Sequence, residues 1–387
     1  MTEWQTVRLG EIVKTNQSTY SPKENWQFVN YLDTGNITMN KIDEIQNINT
    51  AKDKLPSRAR RKVKTNSIIY STVRPNQLHY GIIKKQPDNF LVSTGFTVID
   101  VNYDKAVPDF IYYALTKQEV TEQLQAIAEQ SVSAYPSLKP SDIENLELML
   151  PDKKTQERIV AILRSIDEKI KENNAINNNL EQQAQAIYQQ MFIDNARSDW
   201  AEGTLSDIAD ITMGQSPNGS SYNEDGTGTI FFQGRAEFGF RFPSVRLYTT
   251  EPKRMARLND TLMSVRAPVG DLNVAHMDCC IGRGLAAIHS KSHHQSFVLY
   301  TMFSLKKQLD VFNGEGTVFG SINRNSLNDM PILIPSDDIL DEFERIVAPM
   351  DLTIRNNYDE NCRLQDIRDT LLPRLMSGEL DVSDIDL

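Results

Sequence analysis

The chain of 387 residues repeats its own pattern, and each repeat ends in a segment with a heptad spacing of apolar residues. The string ERIVA occurs at 157–161 and again at 344–348. Trp4 and Trp200 precede the similar strings Leu-Gly-Glu-Ile and Leu-Ser-Asp-Ile at the same spacing. Repetition on this scale indicates a tandem duplication. We therefore expect two similar globular domains, each followed by a long helix.

The apolar stripes of the two helical segments alternate steps of four and three residues, which is the pattern of a coiled-coil seam. The first stripe consists of Ile159, Leu163, Ile166, Ile170, Asn173, Asn177, Leu180, Ala184, Ile187 and Met191. The second consists of Val347, Met350, Ile354, Asn357, Asn361, Leu364, Arg368, Leu371 and Leu375. Two asparagines fall at corresponding positions of both stripes. Polar residues in an apolar seam fix its register at a cost in stability, so we expect the two helices to pair.

Chain order predicts that the second helix runs antiparallel to the first, because each helix leaves a different domain. The predicted fold is α+β, with two tandem, pseudo-twofold-related, β-rich domains joined by a long antiparallel two-helix coiled coil. The predicted boundaries are 1–150 for domain one, 151–197 for the first helix, 198–335 for domain two, and 336–387 for the second helix with an acidic tail. A helical hairpin inside an ordinary core is the alternative interpretation.

Two prolines and several short patterns set further expectations. Pro349 predicts a break or kink in the second helix, and Pro373 predicts its end or a bend near its end. Asp152 and Ser336 are candidate N-caps of the two long helices. Short helices are predicted at 109–129 and 295–312. Strands are predicted at 67–73, 90–101, 146–151, 229–232, 260–265, 285–289 and 331–335.

The net charge of −11 argues against a polyanionic partner unless the charge is uneven, and it is uneven. Residues 336–387 contain 14 acidic residues and five arginines, so the preceding 335 residues carry a net charge of only −2. Within that near-neutral part, residues 52–64 hold seven basic residues and one acidic residue. Local surfaces that bind nucleic acid are therefore compatible with the composition.

The composition also bounds the cellular setting. The three cysteines, Cys279, Cys280 and Cys362, form an odd count in which two are adjacent, so a disulfide framework is not expected. No apolar run approaches the roughly 20 residues of a membrane-spanning helix. A cytoplasmic location is expected.

Arginine and lysine neutralise phosphates, and arginine, asparagine and glutamine discriminate base edges, so these residue types mark candidate DNA contacts. Domain one offers Arg58, Arg60, Arg61, Lys62 and Lys64, and then Arg74, Asn76 and Gln77 on a predicted loop after a strand. Domain two offers Arg235, Arg241, Arg246, Lys253, Arg254, Arg257 and Arg266. Arg266 occupies the position of Arg74 in the matching VRAP and VRP segments. For any one of these arginines, a solvated position or an ion pair remains an alternative.

Catalytic motifs are not found in the sequence. Neither the tetrapeptide of amino-methyltransferases nor a Walker phosphate loop occurs. The glycine-rich segment 314–320 has one residue too many for a dinucleotide fingerprint and is interpreted as a turn. A metal site could be drawn from His276, Cys279, Cys280, His289, His293 and His294, but adjacent cysteines lack zinc spacing and no metal site is predicted.

Three segments, MGQSPNGSSYNEDGTGTIFFQGRAEFGF (213–240), LMSVRAPVGDLNVAHMDCCIGRGLAAIH (262–289) and LLPRLMSGEL (371–380), resemble the specificity subunit of type I restriction-modification systems. The resemblance covers essentially the whole chain, including the tandem arrangement, and is looser in domain one. It implies a non-catalytic subunit that reads a bipartite site in double-stranded DNA, one half-site per recognition domain.

The resemblance also implies partners and cofactors. Two DNA methyltransferase subunits would dock on the helices, and restriction subunits would join the full complex. No cofactor is expected on this chain, whereas S-adenosylmethionine, ATP and Mg are expected on the partner subunits. Two other hypotheses remain open at this point: an autonomous DNA-modifying enzyme, and a coiled-coil adaptor between proteins with no role on DNA.

Overall fold

A computed structural model describes residues 4–131, 135–314, 320–383 and 385. The chain forms two compact units. Unit 1 consists of Met1–Lys171 and Asn361–Leu387, and unit 2 consists of Glu172–Glu360. Both boundaries fall inside the long helices, so each helix contributes one part to each unit. None of the helices in the described part of the chain combines the length and apolar character that a bilayer span requires.

Unit 1 begins with eleven strands, is completed by short helices and one more strand, and ends on the first long helix. The strands are β1 (Gln5–Arg8), β2 (Val13–Thr15), β3 (Phe28–Leu32), β4 (Ile37–Thr38), β5 (Lys41–Ile42), β6 (Gln46–Asn49), β7 (Ala59–Lys62), β8 (Ile68–Ser71), β9 (Tyr80–Ile82), β10 (Phe90–Ser93), β11 (Phe96–Val101) and β12 (Glu147–Leu150). The helices are α1 (Pro108–Leu115), α2 (Gln118–Glu129), α3 (Pro140–Glu144) and α4 (Lys153–Tyr188). Helix α4 enters unit 2 at Glu172 and is followed there by a π-helical turn, Gln189–Asp194.

Unit 2 repeats this order. Its strands are β13 (Ala201–Thr204), β14 (Ala209–Met213), β15 (Tyr222–Asn223), β16 (Thr229–Phe232), β17 (Leu247–Thr249), β18 (Met255–Ala256), β19 (Thr261–Ser264), β20 (Leu272–Val274), β21 (Cys279–Ile281), β22 (Leu285–Ser290) and β23 (Pro331–Ile334). Its helices are α5 (Leu205–Ile208), α6 (Gln295–Ser304), α7 (Lys306–Asp310), α8 (Arg324–Asn328) and the second long helix, α9 (Asp337–Met376).

The sheets of the two units have matching topologies. A four-stranded antiparallel sheet has the order β2-β11-β8-β9 in unit 1 and β14-β22-β19-β20 in unit 2. A second sheet contains one parallel pair in each unit, β3 with β10 and β16 with β21, flanked by antiparallel strands. The first and last strands of each domain also pair, β1 with β12 and β13 with β23. The predicted duplication is confirmed at the level of strand order.

The long helices pair antiparallel within each unit. In unit 2, Asn173 Nδ2 donates to Glu360 Oε2 at 2.8 Å, and Asn357 Nδ2 donates to Asn177 Oδ1 at 2.8 Å. In unit 1, Ile159 of α4 lies in the same apolar cluster as Leu371 and Leu375 of α9. Every member of both seam stripes is buried or half-buried. The predicted α+β fold with a long antiparallel helix pair is therefore confirmed.

The break predicted at Pro349 is wrong. Helix α9 is continuous from Asp337 to Met376. A proline costs a helix the hydrogen bond to the carbonyl four residues earlier, here that of Arg345. Both Arg345 and Pro349 are exposed, so water can solvate that carbonyl. The helix ends three residues after Pro373, as expected.

Other boundaries are finer than predicted. The stretch 90–101 forms two strands in different sheets, because the chain turns at Thr94 and Gly95. The stretch 109–129 forms two helices separated at Thr116 and Lys117, and 295–312 forms two helices and a 3₁₀ turn. Of the glycine-rich segment 314–320, residues 315–319 lie outside the described part of the chain.

The predicted N-cap residues directly precede both long helices, and Asp152 makes a capping hydrogen bond. Asp152 Oδ1 accepts a hydrogen bond from the Thr155 N–H at 3.1 Å, and this bond is the main cause of the lowered pKa of Asp152. Ser336 precedes α9, and its carbonyl accepts from Leu340 N–H at 3.2 Å.

Candidate nucleic-acid interface

The ends of several strands meet at one edge of unit 1, which we name strand-end surface 1 and define by Arg58, Arg74, Asn76, Gln77 and the Thr94–Gly95 turn. The Thr94 N–H donates to the Arg58 carbonyl at 2.8 Å, and the Thr72 N–H donates to the Gly95 carbonyl at 2.8 Å. These bonds place the start of β7 and the end of β8 beside the turn between β10 and β11. Residues distant in sequence are thus brought to one edge.

The arginines of strand-end surface 1 point to solvent. Arg58 and Arg74 are both exposed, as are Asn76 and Gln77. The backbone of Arg74 has a φ of 49°, in the left-handed region that non-glycine residues other than asparagine, aspartate and histidine seldom adopt. Its guanidinium lies 5.0 Å from the ring centroid of Tyr135, which is itself exposed. The cation therefore rests on an aromatic platform at the protein surface.

The basic run that follows Arg58 is a strand. Arg60, Arg61 and Lys62 belong to β7, the edge strand of its sheet, and all three are half-buried. Burial lowers the pKa of Arg61. Lys62 pairs with Glu24, and its Nζ lies 5.1 Å from the ring centroid of Trp26. Lys62 is thus held by local partners, and exposed Lys64 lies 3.6 Å from Asp100.

Unit 2 has an equivalent edge, which we name strand-end surface 2. We define it by the residues that line a cleft at the ends of β16, β19 and β21. The cleft is lined by Gln233, Gly234, Arg235, Ala236, Glu237, Arg246, Ser264, Arg266, Ala267 and Gly284. The Val265 N–H donates to the Gly284 carbonyl at 2.9 Å, which matches the bond between Thr72 and Gly95 in unit 1.

Three exposed arginines line the cleft of strand-end surface 2. Arg235 pairs with Asp271. Arg246 Nη2 lies 3.0 Å from Glu237 Oε1, and Glu237 is buried. Arg266 follows β19, but the equivalence with Arg74 expected from the sequence is wrong by one residue. Arg266 forms a bridge with Ser321 as Val73 does with Ser137, and the Ala267 N–H donates to the Gly320 carbonyl as the Arg74 N–H donates to the Pro136 carbonyl. Lys253 and Arg254 are exposed on the segment before β18, where the Arg254 carbonyl accepts from the Ile281 N–H at 2.9 Å.

A glycine permits the close packing of this edge. A Cβ atom on Gly282 would lie 2.7 Å from the Gln233 carbonyl oxygen, closer than carbon and oxygen approach in folded proteins. The backbone after β21 can therefore lie directly against the backbone after β16. Gln233 was not among the sequence candidates. The sequence did contain a signal for this residue, because Gln233 and Gly234 directly follow β16, just as Asp33 and Thr34 directly follow β3.

Arg241 was a candidate DNA contact, and that prediction is wrong. Its side chain is 4% exposed and lies in the interior of unit 2. Nη2 lies 3.0 Å from Glu181 Oε2 of α4, and Nη1 lies 3.3 Å from Asp351 Oδ1 of α9. Nη2 also donates to the Tyr300 hydroxyl at 3.1 Å. Arg241 lies among other basic residues in the sequence, and only its tertiary contacts distinguish it from them.

Three of the four histidines considered as metal ligands have carboxylate partners. His276 Nε2 lies 2.6 Å from Asp359, His289 Nδ1 lies 2.6 Å from Asp260, and His294 Nε2 lies 2.8 Å from Asp341. Asp359 and Asp341 belong to α9, so two of these pairs tie the domain of unit 2 to that helix. Each of the three contacts is a hydrogen bond between an imidazole nitrogen and a carboxylate.

The fold and the two surfaces define a class of protein: two related strand-rich domains, each presenting arginines at its strand ends, with paired long helices. A family model described as the type I restriction modification DNA specificity domain matches residues 1–182. The HindI specificity subunit of Haemophilus influenzae, a type I restriction enzyme component, is 26% identical over 98% of this chain and 100% of its own length.

Two solved structures are also similar. The HsdS subunit of Thermoanaerobacter tengcongensis is 30% identical, with 97% of each chain covered and a TM-score of 0.43. The S subunit of the type I restriction-modification system of M. genitalium is 16% identical, covers 99% of this chain and 97% of that chain, and has a TM-score of 0.59, so it shares the fold. On sequence identity, this chain belongs to the family of type I restriction-modification specificity subunits.

Proposed function

We propose that this chain gives DNA sequence specificity to a type I restriction-modification complex, and that each unit contacts one half of a bipartite site. The observation that carries the proposal is the repetition of one strand order that brings exposed arginines to the strand ends in both units. As a specificity subunit, the chain is a recognition component and not an enzyme.

The exposed guanidinium groups fit this role chemically. Arginine neutralises phosphates and also forms paired hydrogen bonds with the O6 and N7 atoms of guanine in the major groove. In strand-end surface 2, Arg246 is held by buried Glu237, which limits the orientations of the exposed guanidinium. A pre-oriented donor loses less entropy when it binds a base.

The partners follow from the same proposal. Two DNA methyltransferase subunits bind along the paired helices, and restriction subunits join the larger complex. S-adenosylmethionine, ATP and Mg bind to those subunits, and this chain holds no cofactor of its own. The complex works in the cytoplasm, where the duplex that it reads is found.

Exchanging residues 198–335 for the second recognition domain of another specificity subunit tests the division of labour. The exchange should replace one half-site of the methylated motif and leave the other half-site and the spacer unchanged, because the arginines of unit 1 stay in place. Methylome sequencing of a host that carries the hybrid chain and the methyltransferase measures this. A change in both half-sites would contradict the proposal.

Single substitutions test the two surfaces. Arg74→Ala and Arg266→Ala should each weaken DNA binding by about 1–3 kcal/mol, the value of one bidentate arginine contact to a base. Each should affect only its own half-site if the contact is to a base. Lys307→Ala removes an exposed cation from α7 and serves as the matched control.

Competition binding to duplexes with altered half-sites reads out these variants in the assembled methyltransferase. Equal loss for Lys307→Ala and Arg266→Ala would show that Arg266 acts only through net charge. No loss for either Arg74→Ala or Arg266→Ala would remove the two strand-end surfaces from the interface.

A further inference from the structure

A tyrosine–aspartate hydrogen bond joins a recognition domain to a long helix in both units. In unit 1, the Tyr113 hydroxyl donates to Asp167 Oδ2 of α4 at 2.7 Å. In unit 2, the Tyr300 hydroxyl donates to Asp351 Oδ1 of α9 at 2.9 Å. Both tyrosines lie in the helix that follows the last strand of the antiparallel sheet, α1 after β11 and α6 after β22. The same contact is therefore made twice.

The duplication relates the two pairs residue by residue. Tyr113 follows Phe110 by three positions, and Tyr300 follows Phe297 by three positions, with all four side chains buried. Asp167 and Asp351 hold corresponding places in the two seam segments, each directly after a seam residue. The two pairs thus occupy equivalent positions in the two repeats.

An arginine completes each pair, but it comes from a different element in each unit. In unit 1, Arg368 of α9 lies 3.1 Å from Asp167. In unit 2, Arg241 of the domain lies 3.3 Å from Asp351 and 3.0 Å from Glu181 of α4. In unit 1, Asp167 of α4 contacts both the domain and α9. In unit 2, Arg241 of the domain contacts both α4 and α9.

The environment makes these contacts strong. Tyr113 is 6% exposed and Tyr300 is 1% exposed. Burial raises the pKa of both hydroxyls, so they remain protonated donors throughout the physiological range. A hydrogen bond to a charged acceptor in a buried site is stronger than one between neutral groups in water.

We propose that the two tyrosine–aspartate pairs, which we name domain clamps, are positioning residues that fix each recognition domain on its helices and thereby set the spacer length that the complex accepts. This inference rests on the proposed function. A domain held by directional bonds at one helix position presents its strand-end surface at one distance along the helix. Loosening the clamp lets the domain accept neighbouring distances.

The test uses the full chain assembled with its methyltransferase subunits. Tyr113→Phe, Tyr300→Phe and the double variant remove only the hydroxyl groups and keep the buried rings. Methylation rates are compared on the native bipartite site and on sites whose spacer is one base pair shorter or longer. We expect the preference for the native spacer to fall by about tenfold in the double variant, the scale of one hydrogen bond to a charged group.

A matched control separates positioning from general loss of stability. Tyr222→Phe removes a hydroxyl that donates to the Pro217 carbonyl at 3.1 Å within the domain of unit 2, with no helix involved. It should leave the spacer preference unchanged. The half-site sequences should stay the same in every variant, because the strand ends are untouched.

The possible results separate failure of the clamps from failure of the proposed function. An unchanged spacer preference in the folded double variant, or an equal loss in Tyr222→Phe, would overturn the clamps. If the unmodified complex methylates no interrupted motif at all, the proposed function itself fails and the clamps fail with it. A relaxed spacer with intact half-sites supports both.

Discussion

Replacing Arg241 with methionine should lower the free energy of unfolding by about 3–5 kcal/mol, the cost of leaving buried charge without its partner. Methionine fills a similar volume, so the loss reports charge and hydrogen bonds more than packing. Without the guanidinium, Glu181 and Asp351 would remain in a buried site with no cation beside them. Urea denaturation of the purified chain measures the change.

The stability lost in Arg241→Met should be larger at neutral pH than at acidic pH. Burial already raises the pKa of Asp351 and of Glu181, and removal of the neighbouring cation raises both further. The folded variant then binds protons that the unfolded chain has released, so its deficit is largest at neutral pH. The deficit shrinks as the pH falls through the raised pKa values toward the pKa values of the unfolded chain.

Arg197→Met provides the control for this prediction. Arg197 and Asp199 are both exposed and lie 2.9 Å apart, and exposed pairs contribute at most about 1 kcal/mol. A similar small loss in Arg241→Met would show that the buried arginine is dispensable. It would also restore the possibility that Arg241 turns outward to DNA.

Lengthening both long helices by four residues should lengthen the unread spacer between the half-sites by about two base pairs. Four helical residues add about 6 Å, and base pairs in B-form DNA are about 3.4 Å apart. The insertions belong after Lys171 in α4 and after Glu360 in α9, where the two units divide. A four-residue insertion is a stutter that coiled coils accommodate by local unwinding.

Methylome sequencing reads the new spacer directly. Four residues inserted after Asp104, in the exposed turn before α1, add the same length outside the helices and should leave the spacer unchanged. An unchanged spacer after the helix insertions, in a complex that still methylates DNA, would mean that the helices do not set the distance between half-sites.

The long helices and the duplication could be predicted from the sequence because both depend on periodic patterns. A 4,3 alternation places its residues on one face of a helix wherever the helix lies, and the asparagines at 173, 177 and 357 indeed form hydrogen bonds in the seam. The break expected at Pro349 is not found, because losing a backbone hydrogen bond costs little where water can replace it. The helix face that carries Pro349 is exposed.

The individual site residues could be predicted only in part, because surface or interior position depends on contacts far along the chain. Arg241 and Arg246 are five residues apart and look alike in sequence. One is buried against two helices, and the other lies exposed on a cleft. Tyr113 and Tyr300 belong to no motif in the sequence, and only the structure places an aspartate beside each hydroxyl.

Two related domains should read two separated half-sites in DNA. The most direct measurement is the methylome of a host that carries this chain with its methyltransferase and no other modification system. We expect one methylated motif made of two defined half-sites with an unread spacer of fixed length between them. A continuous motif without a spacer, or methylation without sequence preference, would contradict the account.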